Sequence, residues 1–319
     1  MDKTLIILGA GASKDFCRIF PSGLELIKEI NYHFLTEKKE PEVKEEEGIY
    51  LSAMMNEICR VFENNISLFK KIKNRLWDIQ LSYEWNNLRN KSTDAISIDQ
   101  FIASEINTGK LDISSTNIIK FAISYLIKGT EQALYEGSYN LNGNWIEALS
   151  SKLTINNIDT VIQNLKVITF NYDRLFEYYF IDYLKKYNPT LSSKQIVELE
   201  NNIFHVYGSL GTLAEIPFKM HNDETSFLKT TFDRIKLIDD RNNIKLIIPE
   251  AEKFIEVHFI GFGYDRTNLE KLNLNQFVSA SFSGTAYYHT DTQIEEIKSS
   301  YNINAKNISC NEYFKTLDV

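Results

Sequence analysis

Short polar segments follow several apolar runs of the chain, and their residue types suit nucleotide chemistry. The first is Gly9-Ala10-Gly11-Ala12-Ser13, which follows the apolar run 4–8. Its two glycines allow a tight turn and a close approach of the backbone to a ligand. Ser13 is a good N-cap for a helix whose free N–H groups would face a phosphate. The segment predicts a phosphate-binding turn, although Lys14 stands where the dinucleotide fingerprint has its third glycine. The alternative is a tight turn that binds nothing.

Asn171 and Asp173 form a second segment that could act on a ligand. They directly follow the apolar run 165–170. Polar groups just past the carboxyl end of a strand lie where open α/β sheets bind ligands. We therefore predict a ligand-binding role for both side chains, with helix capping as the alternative.

His205 and Tyr207 belong to a third segment, the run 202–207, which ends at Gly208 and Ser209. Alternation along a strand would place the side chains of His205 and Tyr207 on one face, about 6.5–7 Å apart. Histidine suits proton transfer because its ordinary pKa is close to neutrality. A lone histidine is more often structural, but a position beside a glycine turn makes His205 a candidate.

The elements that must position these residues are strands. Each polar segment follows one of four apolar runs, and the fourth run precedes Gly261-Phe262-Gly263-Tyr264-Asp265. The four runs are 4–8, 165–170, 202–207 and 254–260. Runs without alternation are typical of strands buried on both faces of a parallel sheet. Shorter strands are predicted at 245–248, 284–289 and 305–309, and helices at about 292–301 and at the end of the chain. Alternating strands and helices indicate an α/β fold with a Rossmann-like, doubly wound parallel sheet.

A long stretch with helical periodicity separates the first two predicted strands. Apolar residues recur at spacings of three and four through 54–76 and 118–127. Because this stretch exceeds an ordinary crossover, we predict one domain over 1–319 with a large helical insertion at about 35–165. Within the insertion, Asp99 lies in a short apolar segment where it could cap a helix.

Composition limits the class of protein. With 319 residues, 43% hydrophobic and 13% aromatic, the chain can bury a sizeable core. A net charge of −8 makes direct binding of nucleic acid an unfavourable expectation. The three cysteines are isolated, so we expect no metal site and a reducing, cytoplasmic compartment. No apolar run reaches the length of a membrane span, and Met1-Asp2-Lys3 leads straight into the first strand, so neither membrane insertion nor a signal peptide is expected.

The ordered set of segments resembles the prokaryotic sirtuin-like family, the NAD-consuming domains of bacterial anti-phage systems. Four motifs carry the resemblance: Gly9 to Ser13, Thr169-Phe-Asn171-Tyr-Asp173-Arg174, His205-Val-Tyr207-Gly208-Ser209-Leu210, and Gly261 to Asp265. Ser97-Ile-Asp99-Gln-Phe101 also resembles a short motif in the helical insertion of these domains. The order of the motifs spans the whole chain.

The resemblance implies NAD as the substrate and a role for each matched position. Gly9 to Ser13 would hold the pyrophosphate, and Asn171 would contact the nicotinamide ribose or orient a water. Asp173 would fix its loop or contact the nicotinamide side, and Gly263 with its neighbours would take the ribose and adenine end. The implied catalytic residues are Asn171, Asp173, His205 and Tyr207. The implied NAD-binding residues are Gly9, Ala10, Gly11, Ala12, Ser13, Asp99, Gly208, Ser209, Gly261, Gly263 and Tyr264.

One position departs from the family. Its usual catalytic histidine directly precedes the Gly-Ser pair, where this chain has Tyr207. Three alternatives follow: His205 takes over, Tyr207 hydrogen-bonds the ribose, or the site binds NAD without cleaving it. The paired CxxC motifs of protein-deacetylating sirtuins are absent from 212–248. The expected activity is therefore NAD⁺ hydrolysis that depletes NAD during phage infection, and the alternative is a non-catalytic NAD- or ADP-ribose-binding regulatory or scaffold subunit.

The resemblance also implies partners. The sequence shows no ATPase, nuclease or sensing module, so detection of infection would depend on self-assembly or on another chain. A homo-oligomer, a hexameric ATPase or DNA translocase, and an Argonaute-like protein are the implied assemblies. The sequence does not choose between them.

Overall fold

The computed structural model describes residues 2–23, 25–26, 28–30, 108–109, 113–219, 231–237, 245–287 and 289–317. These residues form a parallel six-stranded sheet with helices between the strands. The strands are β1 Thr4–Leu8, β2 Leu165–Thr169, β3 Ile203–His205, β4 Glu256–Ile260, β5 Ser281–Thr285 and β6 Asn304–Lys306. The helices are α1 Ala10–Phe16, α2 Ile113–Glu136, α3 Trp145–Leu153, α4 Ile158–Asn164, α5 Leu175–Tyr187, α6 Ser193–Asn201, α7 Arg266–Leu272, α8 Asp291–Tyr301 and α9 Cys310–Thr316.

The order of the strands defines where a ligand can bind. It is β3-β2-β1-β4-β5-β6, and every neighbouring pair is parallel. This is the 3-2-1-4-5-6 order of Rossmann folds, in which the direction of strand addition reverses between β1 and β4. Leu8 pairs with Thr169 on one side and with Ile260 on the other, so the carboxyl ends of β1, β2 and β4 are level. The predicted α/β class with a parallel, Rossmann-like sheet is confirmed.

The central strand β1 is covered on both faces. Leu5 and Ile7 belong to a core cluster with residues of α2, α7 and α8, whereas Ile6 and Leu8 belong to a cluster with residues of α1, α3, α5 and α9. All four side chains are at most 1% exposed. Burial of every residue requires an uninterrupted apolar strand, which explains why the run 4–8 shows no alternation.

The helices α2 to α4 lie between β1 and β2 along the chain, in the region of the predicted insertion. Residues 31–107, with Asp99, lie outside the described residues, so the extent of the insertion stays a prediction. Among the helices that the structure describes, none is long and apolar enough to cross a membrane.

The strand predicted at 245–248 was wrong. Its backbone is bonded to the α7 region instead of a sheet edge: the N–H of Leu246 donates to the carbonyl of Lys271 (2.7 Å). The amide of Gln276 donates to the carbonyl of Leu246 (3.1 Å) and accepts from the N–H of Ile248 (2.9 Å). A carbonyl at the end of α7 and the side chain of Gln276 therefore satisfy the backbone groups that a sheet would otherwise pair.

Three of the predicted strands differ most from the observed ones in position or length. The strand predicted at 284–289 is Ser281–Thr285, and the one predicted at 305–309 is Asn304–Lys306. The run 202–207 contributes only Ile203–His205 to the sheet. The alternation argument therefore does not extend to Tyr207, which lies in the turn after β3.

Candidate functional site

Two glycine turns touch each other at the point where the strand order reverses. A Cβ on Gly9 or Gly11 would lie 2.6 or 2.7 Å from the carbonyl oxygen of Gly261. Gly261 has a φ of 56°, in the left-handed region, and a Cβ there would lie 1.9 Å from the nitrogen of Ala12. The N–H of Gly11 donates to the carbonyl of Gly261 (2.9 Å). These glycines are therefore required for the close packing of the turns after β1 and β4, independently of any ligand.

The first turn offers fewer free N–H groups than the sequence predicts. Helix α1 begins at Ala10, and its N-cap is Gly9, so the prediction of Ser13 as N-cap was wrong. The glycine turn already leads the chain into the helix, which leaves Ser13 in the second turn of α1. The N–H groups of Gly11 and Ala12 are bonded within the protein, the latter to the carbonyl of Gly9 at 2.9 Å. The Ala12 carbonyl accepts from the indole of Trp145 (2.9 Å), so Ala12 is a core residue.

Asn171 joins the end of β2 to this turn. Its Nδ2 donates to the carbonyl of Gly9 (3.1 Å) and to Oγ of Ser13 (3.0 Å), and its backbone N–H donates to Oγ1 of Thr169 (3.1 Å). The side chain is 7% exposed, yet Oδ1 is buried with no hydrogen-bond partner in the structure. Buried polar atoms almost always have a partner. Oδ1 is therefore the atom at this position that a ligand or a water would satisfy.

Asp173 is bonded to Ser13, the same serine that accepts from the side chain of Asn171. Oγ of Ser13 lies 2.9 and 3.0 Å from its two carboxylate oxygens and donates to them, and the N–H of Leu175 donates to Oδ1 (3.2 Å). Burial raises the pKa of Asp173 to about 7; the Ser13 bond opposes this, and the charges of Glu177 and Glu131 add to it. Asp173 therefore holds its loop and bonds the first residue of α5, although the N-cap position of this helix is Arg174.

The raised pKa of Asp173 predicts a specific dependence of stability on pH. The unfolded chain releases this proton near the ordinary pKa of 3.8, whereas the folded chain keeps it until about pH 7. The contribution of Asp173 to stability is therefore complete below pH 3.8 and is lost as the pH rises towards 7. Asp173→Asn removes this loss. Each unit of pKa difference is worth about 1.4 kcal/mol, so the variant should gain stability relative to the wild type between pH 4 and 7.

Denaturant unfolding of the two proteins at several pH values measures this gain. Asp159→Asn is a suitable control because Asp159 is exposed at the surface, and that variant should follow the wild-type profile. If the free energies of unfolding of Asp173→Asn and wild type change with pH in parallel, Asp173 is ionised throughout this range and the prediction is wrong.

His205 is bonded at both ring nitrogens. Nδ1 lies 2.9 Å from the carbonyl of Asn171, and Nε2 forms an ion pair with Oε1 of Glu177. Burial alone lowers the pKa of His205, but the adjacent Glu177 carboxylate outweighs it, so the pKa is raised. In this arrangement His205 donates to the backbone of Asn171 and fixes it, and neither ring nitrogen is available to a ligand.

Tyr207 is also bonded within the protein. It is 2% exposed, and its hydroxyl donates to Oδ1 of Asn268 at 2.6 Å. The rings of Phe170 and Tyr172 pack against it, with centroids at 5.7 and 6.5 Å. Tyr207 therefore ties the turn after β3 to α7.

The remaining residues predicted on these turns have structural contacts. Gly208 has a φ of 73°, and a Cβ there would lie 1.9 Å from the carbonyl oxygen of Arg234. Oγ of Ser209 accepts the N–H two residues later (3.3 Å). Tyr264 is 8% exposed, and its hydroxyl donates to the carbonyl of Thr285 (3.0 Å). These contacts hold the turns in place.

A buried ionic cluster supports the turn that carries Asn171. Arg174 and Glu131 are 1% and 0% exposed, and Nη2 of Arg174 lies 2.5 Å from Oε2 of Glu131. Nη1 of Arg174 donates to the carbonyl of Ile216 (2.6 Å). Lys128 lies 3.7 Å from Glu131, donates to the carbonyl of Pro217 (2.7 Å), and has a pKa that burial lowers to about 8. The cluster fixes α2 and the loop after β3 to the site.

A cavity of about 480 Å³ opens on the β4 side of the first turn. Residues after β1, β4, β5 and β6 line it, among them the predicted Ala10, Gly11, Gly261 and Gly263. Among the described residues, none that lines the cavity belongs to the turn directly after β2 or β3. Since β2 and β4 flank β1 on opposite sides, Asn171 at the end of β2 lies on the other side of the first turn. Within the described ranges, no group of three or more His, Cys, Asp or Glu side chains could hold a metal ion.

The structure thus brings together two groups of the predicted residues. Asn171, Asp173, Ser13 and His205 form one hydrogen-bonded network, and four glycine-turn residues line the cavity. No protein-family model matches the chain, and no curated protein or solved structure matches it.

Proposed function

We propose that the chain binds NAD⁺ and hydrolyses its nicotinamide–ribose bond, as the resemblance to prokaryotic sirtuin-like domains implies. The observation that carries the proposal is Oδ1 of Asn171, which is buried without a partner at the carboxyl end of β2. Parallel α/β sheets bind ligands at the carboxyl ends of the strands, where the strand order reverses. Asn171 lies at the β2 side of this reversal, and the cavity beside Gly263 lies at its β4 side.

The proposed reaction needs only modest help from the protein. The C–N bond breaks and its electron pair leaves with nicotinamide, so positive charge develops on the ribose. A water oxygen forms the new bond to the anomeric carbon, and its proton passes to solvent. Oδ1 of Asn171 is a neutral acceptor that would hold either a ribose hydroxyl or the water. Positioning of this kind in a desolvated site contributes much of the rate in such reactions.

Several residues would keep Oδ1 of Asn171 in place for this reaction. Ser13 and the carbonyl of Gly9 accept from its amide and so fix the orientation of the side chain. Asp173 accepts from Ser13, and His205 contacts the backbone of Asn171. These residues act through Asn171. Of the side chains of Ser13, Asn171, Asp173 and His205, only that of Asn171 has a buried polar atom without a partner in the described site.

The alternative function is a non-catalytic NAD- or ADP-ribose-binding regulatory or scaffold subunit. The contacts of His205 and Tyr207 favour it, because both side chains are bonded within the protein. Hydrolysis does not require either residue if Asn171 positions the water. The two functions therefore differ in turnover and not in binding.

A fluorescence assay with etheno-NAD separates the two functions. The purified full chain is incubated with the substrate, alone and with the product of a neighbouring gene, such as a hexameric translocase or an Argonaute-like protein. Nicotinamide release under one of these conditions supports the hydrolase. Tight NAD⁺ binding without turnover under all of them supports the scaffold subunit.

Filling the cavity at Gly263 should weaken NAD⁺ binding. A Cβ on Gly263 meets no atom within 4 Å, so Gly263→Leu adds a side chain without displacing the backbone. Gly11 is a poorer choice because its Cβ would meet Gly261. We expect Gly263→Leu to raise the Kd for NAD⁺ about tenfold or more, equivalent to about 1.4 kcal/mol, as measured by calorimetry.

The matched control is Gly129→Leu. Gly129 lies on an exposed part of α2, and a Cβ there also meets no atom within 4 Å. This variant should bind NAD⁺ as the wild type does. If Gly263→Leu binds NAD⁺ with unchanged affinity, the dinucleotide does not enter the cavity.

A further inference from the structure

His205 contacts two acceptors at once, and these contacts determine which protons its ring carries. Nδ1 lies 2.9 Å from the carbonyl oxygen of Asn171, and Nε2 forms an ion pair with a carboxylate oxygen of Glu177. A carbonyl and an ionised carboxylate can only accept hydrogen bonds. Both ring nitrogens must therefore donate, which requires the imidazolium form with two N–H groups.

The pair of His205 and Glu177 is shielded from water. Their side chains are 11% and 10% exposed. Oε1 of Glu177 is bonded to His205, and Oε2 is buried with no hydrogen-bond partner in the structure. A buried carboxylate is costly without a counter-charge. The second proton on His205 therefore stabilises Glu177 as well as the turn that carries Asn171.

The charges around the ring favour this proton. Burial alone lowers the pKa of His205, but Glu177 in α5 and Asp173 in the turn before α5 raise it above the ordinary value of 6.5. Glu200 of α6 adds a further carboxylate close to Glu177. On β2, the residue that pairs with His205 is the neutral Thr169. The ring therefore gives up its second proton at a higher pH than an ordinary histidine does.

Loss of that proton would leave one N–H group for two acceptors. The carboxylate of Glu177 is the stronger acceptor because it is charged, so the remaining N–H group stays on Nε2. Nδ1 then presents a lone pair to the carbonyl oxygen of Asn171, and two acceptors at 2.9 Å repel each other. The position of Asn171, and with it that of Oδ1, therefore depends on the second proton of His205.

We propose that His205 and Glu177 form a proton switch, in which the doubly protonated ring holds Asn171 in its working position and the neutral ring releases it. His205 is then a positioning residue that acts through the backbone of Asn171. The rate of NAD⁺ cleavage should fall as the pH rises through the pKa of His205, by up to about tenfold per unit of pH. The switch rests on the proposed function, because Asn171 is the residue that it positions.

Glu177→Gln tests the switch, because it removes the carboxylate and keeps an acceptor for Nε2. The pKa of His205 should fall, and the decline in cleavage rate should move to lower pH with it. A purely structural loss would lower the rate at every pH without displacing the decline. Because Asp173 also titrates at about pH 7, the comparison is repeated in Asp173→Asn, where the displacement should persist.

The matched control is Glu256→Gln. Glu256 forms the corresponding pair with another histidine, since its Oε2 lies 3.3 Å from Nε2 of His258. This variant should leave the pKa of His205 and the pH dependence of cleavage unchanged. The same displacement in Glu256→Gln and in Glu177→Gln would overturn the switch.

NMR of the full wild-type chain with ¹⁵N-labelled histidine and tyrosine tests the switch without turnover. The pKa of His205 should lie above 6.5. The amide of Tyr172 shares a peptide group with the carbonyl of Asn171, so its signal should shift as His205 loses its proton. A pKa of His205 at or below 6.5, or an amide of Tyr172 that does not respond, would overturn the switch.

The switch and the proposed function fail in different ways. If the NMR results hold and the chain cleaves no NAD⁺ under any condition, hydrolysis is rejected and the switch stands. If wild type and Glu177→Gln cleave NAD⁺ with the same pH dependence, the switch is rejected and hydrolysis stands.

Discussion

Replacement of Asn171 by alanine is expected to lower the rate of NAD⁺ cleavage by about 100-fold or more, the effect typical of removing a group that stabilises a transition state. Its Oδ1 is buried without a partner beside the first turn, whereas the other such acceptor of the network, Oε2 of Glu177, belongs to a carboxylate that is paired with His205. Binding of ADP-ribose should largely remain, because Asn171 does not line the cavity on the β4 side of the first turn. Initial rates with saturating NAD⁺ measure the first effect, and calorimetry with ADP-ribose measures the second.

Asn144→Ala is the matched control for this variant. Asn171→Ala also removes the bonds of Nδ2 to Gly9 and Ser13, which should lower stability by about 1–3 kcal/mol. Asn144 is likewise buried, donates to the hydroxyl of Tyr183 (2.6 Å) and caps α3. Its replacement should lower stability to a similar degree and leave the cleavage rate nearly unchanged. If both variants lose activity in proportion to their stability, Asn171 has no role in the chemistry.

Replacement of Arg174 by leucine is expected to cause the largest loss of stability. Arg174 and Glu131 are almost fully buried, so the substitution leaves the Glu131 carboxylate without its main counter-charge. The carbonyl of Ile216 also loses its donor. Removal of one partner of a buried ion pair typically costs about 3–5 kcal/mol. Urea unfolding followed by circular dichroism measures the change in the free energy of unfolding.

An exposed arginine provides the comparison for Arg174. Arg266 forms an ion pair with Glu270 at 2.7 Å, and the two side chains are 79% and 45% exposed. Arg266→Leu should change stability by no more than about 1 kcal/mol because water screens such pairs. The double variant Arg174→Leu with Glu131→Leu should recover part of the loss. A loss below about 1 kcal/mol for Arg174→Leu alone would contradict the structural role of the cluster.

The central strands could be predicted from sequence because burial on both faces leaves a clear pattern. The run 4–8 coincides with β1, and the run 165–170 extends one residue beyond β2. The position of strand β5 could not be predicted in this way, because Ser281–Thr285 consists largely of small and polar residues. Gly284 is required there, since a Cβ would lie 2.4 Å from the carbonyl oxygen of Phe259. The apolar residues that follow Gly284 predict a strand that begins three residues too late.

The network around Asn171 could be predicted only in part. Asn171 and Ser13 follow neighbouring parallel strands, so their proximity follows from the fold class. Ser13 is bonded to Asp173 in the turn before α5, and two further carboxylates, Glu131 and Glu177, come from helices. Sequence spacing alone would give the wrong partner for Glu177. Glu177 lies three residues after Arg174, a spacing that favours an ion pair between them. The structure instead pairs Arg174 with Glu131 and Glu177 with His205.

The capping alternative for Asp173 and the structural alternative for His205 could not be decided from sequence. Both depend on contacts made after the chain folds: Ser13 and Leu175 for Asp173, and Glu177 for His205. Alternation along the run 202–207 predicts Tyr207 on the same strand face as His205, but β3 ends before it. Contacts between distant segments, rather than the local pattern, determine these roles.

Product analysis in H₂¹⁸O tests NAD⁺ hydrolysis most directly. The full chain at substrate-level concentration is incubated with NAD⁺, alone and with its partner, and the products are resolved by mass spectrometry. Hydrolysis at the site of Asn171 predicts equal amounts of nicotinamide and ADP-ribose, with one ¹⁸O per ADP-ribose, and about 100-fold less product from Asn171→Ala in the same time. Intact NAD⁺ under every condition, or equal amounts of product from wild type and Asn171→Ala, would contradict it.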